Sequence, residues 1–143
     1  MKLVKHLLDA KGRQVISIGP DASVFDAIRL MAENGIGALA VMQDGRLVGM
    51  LSERDYARKV IIKGRSSRET RVGEIMTAEV VTTTSSQTVN DCMNLVTDGR
   101  IRHLPVVEGD EVIGMISIGD LVQAIISDQQ AEIEQLEHYI SGG

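Results

Sequence analysis

GMLSERD at Gly49–Asp55 returns 65 residues later as GMISIGD at Gly114–Asp120, with Gly, Met, Ser and Asp at the same offsets. Sliding the chain against itself by that offset aligns residues 15–62 with 80–127 without a gap. Identities fall at Val15, Val24, Asp26, Leu30, Ile36, Leu39, Val41, Gly49, Met50, Ser52 and Asp55, and most other pairs exchange like for like. The period exceeds that of common solenoid repeats and there are two copies, so the pattern is a pseudo-symmetric pair rather than an array. A chain of 143 residues suffices for one compact domain with a real core but not for two full-sized ones, which puts the pair inside one folding unit.

Working outward from the motif, each copy reads strand, helix, strand, strand, helix. VISI (15–18) and VVTT (80–83) are short β-branched runs. SVFD (23–26) and TVND (88–91) carry a hydroxyl followed three residues later by an acid, which predicts a capped helix start in both copies. Val24, Ala27, Ile28 and Met31 recur at helical spacing, as do Val89, Cys92, Met93 and Val96, giving one buried stripe per helix. Asn34-Gly35 and Asp98-Gly99 predict the helix ends, because glycine takes a positive φ at little cost. ALAVM and LPVV, turns at Asp44-Gly45 and Glu108-Gly109-Asp110, then LVGML and VIGMIS predict a hairpin per copy. Residues 52–62 and 119–126 close the copies as helices. The expected organisation is an N-terminal helical segment (1–14), repeat 1 (15–63), a linker (64–72), repeat 2 (73–127) and a C-terminal helix with tail (128–143). In that tail, Ile133, Leu136 and Ile140 with Glu132, Glu134 and Glu137 around them predict an amphipathic helix of about three turns that must dock somewhere.

At the repeated motif, two compatible readings stand side by side. Ser52 and Ser117 can cap the closing helices, with Asp55 and Asp120 complementing the helix dipole in the first turn. A helix N-terminus with a hydroxyl can also receive a phosphate, while a carboxylate beside it accepts hydrogen bonds from a ribose diol.

Gly-x-x-Ser-x-x-Asp closing such a unit twice, with VGEIMT before the second copy and RIRHLPVV inside it, resembles the cystathionine β-synthase (CBS) domain pair, or Bateman module. The resemblance extends over residues 4–127 and implies an α/β (α+β) fold of tandem CBS repeats. SERDYARKVIIKGRSS further resembles stand-alone CBS-pair proteins of bacteria and plant organelles. Two departures fall in or before repeat 1: Lys11 to Arg13 looks like an insertion, and Ala40 stands where repeat 2 has Pro105. The resemblance implies adenosine-containing ligands, namely AMP, ADP, ATP or NAD(H), with S-adenosylmethionine less favoured, in clefts between the repeats. Asp55 and Asp120 would hold ribose hydroxyls, with Ser52 and Ser117 near phosphate. Ser17, Thr82 and Thr84 would flank the nucleotide, and Gly37, Ala38, Arg102, His103 and Pro105 would belong to the strand lining the adenine and phosphate region. It also implies a homodimer, a regulated partner protein, and, as an alternative, an interaction with a redox enzyme such as a thioredoxin.

Arg54, Arg58, Lys59, Lys63, Arg65, Arg68 and Arg71 form a basic cluster in a chain of net charge −5. Either it is a solvated helix face with a linker, or it draws anionic ligands, with Arg54 and Arg65 the chosen contacts. Gly119 replaces Arg54 in the second copy, so the two sites are not equivalent. The acidic balance and an aromatic content of 2% argue against nucleic acid. No apolar run reaches membrane-span length and the charged start lacks a signal-peptide pattern, so the chain reads as soluble. One cysteine, Cys92, fits a reducing compartment, with the cytoplasm the default, and suits a small buried hydrophobe. His6 and His138 have no partners at metal-ligand spacing, and His103 on an apolar strand reads as structural until the family is considered. No catalytic residue is assigned: no nucleophile with a base, paired carboxylates or phosphate-loop spacing is visible, leaving hydrolysis of a bound nucleotide as the least favoured alternative.

Overall fold

The computed structural model describes residues 2–141. Instead of one core the chain forms two compact units. One combines the stretch up to Gln14 with Val81–Glu108 and Ile113 onward, and the other combines Val15–Val80 with Gly109–Val112. The first unit therefore pairs repeat 2 with the N-terminal segment. The second pairs repeat 1 with the linker and with residues 73–80, the opening stretch of what the sequence assigned to repeat 2.

In the repeat 1 unit, β1 (Ser17–Ile18) runs parallel to β2 (Ala38–Gln43), which pairs antiparallel with β3 (Arg46–Ser52). The β2–β3 turn has Asp44 at φ 53° and Gly45 at φ 78°, the two positive values that a tight hairpin with right-twisted strands requires. Helix α2 (Val24–Asn34) starts at Ser23, whose hydroxyl accepts from the Asp26 amide at 3.1 Å, and stops at Gly35 in the left-handed conformation. Its stripe of Val24, Ala27 and Met31 is buried against Leu39, Val41, Leu51, Val60, Val72 and Ile75.

The repeat 2 unit follows the same plan. Helix α5 (Val89–Gly99) is capped by Thr88, and β4 (His103–Glu108) pairs with β5 (Glu111–Ser117). Val89, Cys92 and Val96 are buried with Leu104, Val106, Ile116, Leu121 and, from α1 (Val4–Lys11), Val4, Leu7 and Leu8.

The structure corrects four details of the sequence reading. VVTT does not form a strand: among residues 80–83 only Thr83 makes a parallel bridge, to Val106, the counterpart of Ile18 with Val41. Helix α5 ends with Gly99 still inside it, and the left-handed cap falls on Arg100 at φ 52° rather than on the glycine, because Arg100 lies 65 residues after Gly35 and the backbone plan outweighs side-chain preference. The helix after Ser52 is split into α3 (Glu53–Tyr56) and a π-helical turn, Ala57–Ile61, closed by Ile62 N–H donating to the Ala57 carbonyl at 3.0 Å. The closing helix of repeat 2 and the tail helix are one element, α6 (Ile118–Ile140), since no glycine or proline interrupts residues 120–140.

The repeated glycine has a packing cause. A Cβ on Gly49 would lie 2.5 Å from Met76 Sδ and 3.0 Å from the Thr77 carbonyl, and one on Gly114 would lie 2.5 Å from Leu8 Cδ2. Each strand thus leaves room for a segment arriving from elsewhere in the chain: the end of α4 (Val72–Ile75) on β3, and α1 on β5. Met50 and Thr77 lock the first approach with amide–carbonyl bonds of 2.9 and 2.8 Å.

Candidate functional site

Both Ser-x-x-Asp motifs fold as capping boxes because an Ncap serine and an N3 acid satisfy each other's neighbouring amides. Ser52 Oγ accepts from the Asp55 amide at 3.2 Å, and Asp55 Oδ2 accepts from the Ser52 amide at 3.0 Å. In the second motif the matching distances are 3.2 Å and 2.8 Å. Strand-edge carbonyls complete the helix starts: the Glu53 amide donates to Gly37 at 3.0 Å and the Ile118 amide to Arg102 at 2.8 Å. Gly37 and Ala38, which is in register with Ser52, thereby join Ser52 and Asp55, and Arg102 joins Ser117.

Each aspartate is also met by an ammonium that the motif does not contain. Asp55, with a side chain 13% exposed, receives Lys59 Nζ at 3.1 Å on Oδ1. Thr77 Oγ1 donates to the same oxygen at 3.3 Å. Asp120, 26% exposed, receives Lys11 Nζ at 2.6 Å on Oδ2, and Lys11 also donates to the Met115 carbonyl at 2.9 Å. Burial pushes the Asp120 carboxyl up, but the Lys11 hydrogen bond, the Ser117 amide and the Lys11 charge outweigh it and hold the group below the usual aspartate value. Lys59 was legible as an i, i+4 partner of Asp55. Lys11, from the segment read as an insertion, and Thr77 had no local signal, being 109 and 22 residues away from their aspartates.

The other expected site residues are distributed as follows. Ser17 is exposed on β1 in register with Ala40. Thr82 is half-buried, and Thr84 is exposed and within 3.2 Å of Ser86 Oγ. His103 opens β4 half-buried, and Pro105 is buried in the same strand, its carbonyl accepting from the Thr83 amide at 3.0 Å. Arg54 is exposed in the first turn of α3. Arg65 turns to Glu74 Oε1 at 2.7 Å. The basic cluster is partly engaged within its own unit, for Arg68 lies 3.9 Å over the Phe25 ring and Arg71 is 3.6 Å from Asp21.

Beside Asp120, between α1 and α6, a groove of about 260 Å³ is lined by Lys2, His6, Lys11, Gln123 and Ser127 among others. It falls short of the roughly 300–1,000 Å³ of a pocket that encloses a whole small molecule. Among the described residues no three His, Cys, Asp or Glu side chains gather as a metal site, and no helix is long and apolar enough to cross a membrane.

The family model for the CBS domain matches residues 8–62 and 72–127. The CBS domain-containing protein CBSX3, mitochondrial, of Arabidopsis thaliana is 45% identical over 128 residues, which cover 86% of this chain and 62% of that protein. The chain thus spans less than two thirds of that relative's length. A putative signal-transduction protein with CBS domains from Burkholderia ambifaria is 50% identical, with TM-score 0.87 over 90% of this chain and 96% of that one. The CBS domain pair of protein MJ0100, in complex with 5′-methylthioadenosine and S-adenosyl-L-methionine, shares the fold at TM-score 0.80 and 23% identity, covering 90% and 98% of the two chains.

Proposed function

The chain belongs to the CBS domain family, and from that premise we propose a regulatory module that binds an adenosine-containing nucleotide at its Ser-x-x-Asp motifs and passes occupancy to a partner protein. The observation that carries this reading is the pair of half-buried carboxylates, Asp55 and Asp120, each fixed at a helix N-terminus by its own capping box. A carboxylate so held has its orientation set before a ligand arrives, and a vicinal diol supplies the two donors it can accept. Lys59 and Lys11 pair with these carboxylates, and an ammonium that gives up a carboxylate oxygen to a ribose is free to meet a phosphate. AMP, ADP, ATP and NAD(H) combine that diol with phosphate. The complex of MJ0100 with two adenosine derivatives supports the nucleoside part of this reading.

Occupancy acts on a partner by differential binding, so the ligand shifts an equilibrium only as far as its affinities for the two states differ. The module has no catalysis of its own in this reading, self-associates as a homodimer, and works in a reducing compartment such as the cytoplasm, with Cys92 kept as a buried thiol. A redox enzyme such as a thioredoxin is the alternative class of partner, as the resemblance to stand-alone CBS-pair proteins implies.

Isothermal titration of the whole chain with AMP, ADP, ATP, NAD+, NADH and S-adenosylmethionine tests the ligand class. Saturable heat with at least one phosphorylated nucleotide is expected, weakened about tenfold or more by Asp55→Asn or Asp120→Asn. Heat that is unchanged in both variants would place the ligand elsewhere.

A further inference from the structure

The exposed half of α6 carries a pattern that its own unit does not use. Leu121 and Ala124 are the buried residues of this helix, and from Gln129 to Ser141 every side chain is exposed. Yet this stretch holds Ile133 at 54% exposure, Leu136 at 60% and Ile140 at 81%. Together with the exposed Val122 and Ile126 they fall at successive spacings of four and three residues once Gln129 is included. That is an unbroken heptad seam, with Ile126, Ile133 and Ile140 at a, and Val122, Gln129 and Leu136 at d.

The charges beside the seam choose both the occupant and its direction. Gln130 and Glu137 occupy e positions, and Glu132 and Tyr139 occupy g positions. In a parallel pair of such helices each g residue faces the e residue of the partner's next heptad, which sets Glu132 against the partner's Glu137 on both sides. Like charges at such positions are destabilising. In an antiparallel pair g faces g and e faces e. With Ile133 layered on the partner's Leu136, Glu132 then faces the partner's Tyr139 and Glu137 the partner's Gln130, and no like charges meet. In this antiparallel register, which layers Gln129 on the partner's Ile140 and leaves Val122 and Ile126 outside the pairing, residues 129–140 match themselves without like-charge contact, so a second copy of this chain is the occupant they fit.

From this we infer that residues 129–140 of α6 form an antiparallel helix pair with the same residues of a second copy. The dimer itself is part of the proposed function; the surface and its direction go beyond it. Light scattering at about 100 µM, where self-association is favoured by mass action, reads the mass against 15.5 kDa per chain. The wild type is expected to have twice the mass of Ile133→Glu/Leu136→Glu, whose replaced side chains are exposed and whose far-UV circular dichroism should match the wild type. Mild oxidation of Glu132→Cys/Tyr139→Cys is expected to give a covalent dimer with the 132–139 bond found by peptide mass spectrometry, and Glu132→Cys/Glu137→Cys is expected to give none. A monomeric wild type sinks the dimer. A double-glutamate variant that keeps the wild-type mass sinks the surface, and a 132–137 cross-link sinks the direction. None of these outcomes bears on the nucleotide titration, which reads a different site.

Discussion

Asp120 has its ordinary pKa of 3.8 lowered in the folded chain, burial being outweighed by Lys11 and the Ser117 amide. A carboxylate whose folded pKa is depressed contributes stability that is present above its unfolded pKa and is lost as pH falls through the folded value. Lys11→Met is therefore expected to cost about 0.5–1 kcal/mol near neutrality, in keeping with a partly exposed pair. The difference between variant and wild type should shrink as urea denaturation is repeated below pH 3.8 and vanish in strong acid. A cost that persists unchanged in acid would mean that Lys11 acts through its packing on α1 instead. Cys92 is a second residue with a defined expectation. Burial pushes its thiol up, against the Thr83 hydroxyl at 3.3 Å. Alkylation of the native protein should run at least about a thousandfold slower than in denaturant, gated by opening of the core.

The elements explain why the glycine of the motif repeats along with its serine and aspartate. Gly49 admits the α4 segment and Gly114 admits Leu8 of α1. Gly49→Ala and Gly114→Ala are each expected to cost about 1–3 kcal/mol in urea denaturation, the range for forcing extra atoms into a packed site. The loss at Gly49 should be the harder to relieve, because its Cβ meets the Thr77 backbone as well as a methionine side chain. Neither glycine has a positive φ, so strain in the backbone is not the cause. The sequence made the caps at Ser23, Ser52, Thr88 and Ser117 legible, because a capping hydroxyl and the acid three residues on are spelled within four residues, and at Ser52, Thr88 and Ser117 the two close a full capping box. The two hairpins were legible for the same reason. Leu8 on Gly114 and Lys11 on Asp120 were not, since each joins residues more than a hundred positions apart and no periodicity connects them. The tail helix was legible from Ile133, Leu136 and Ile140, but its continuity with the helix closing repeat 2 was not, since that follows from the lack of any stop signal between them.

At the scale of the whole molecule, the net charge of −5 coexists with lysines placed on the two motif carboxylates. That local contrast is what an anionic ligand carrying a diol would meet. Thermal denaturation of the whole chain tests the central claim most directly, carried out with AMP, ADP, ATP, NAD+, NADH and S-adenosylmethionine on the wild type, Asp55→Ala, Asp120→Ala and the double variant. A ligand at about a hundred times its dissociation constant adds roughly 2.7 kcal/mol, enough to raise the midpoint by several degrees. We expect such a rise with at least one nucleotide, reduced in one or both single variants and absent in the double variant. No rise with any of the six compounds, or one of equal size in the double variant, would contradict nucleotide binding at the Ser-x-x-Asp motifs.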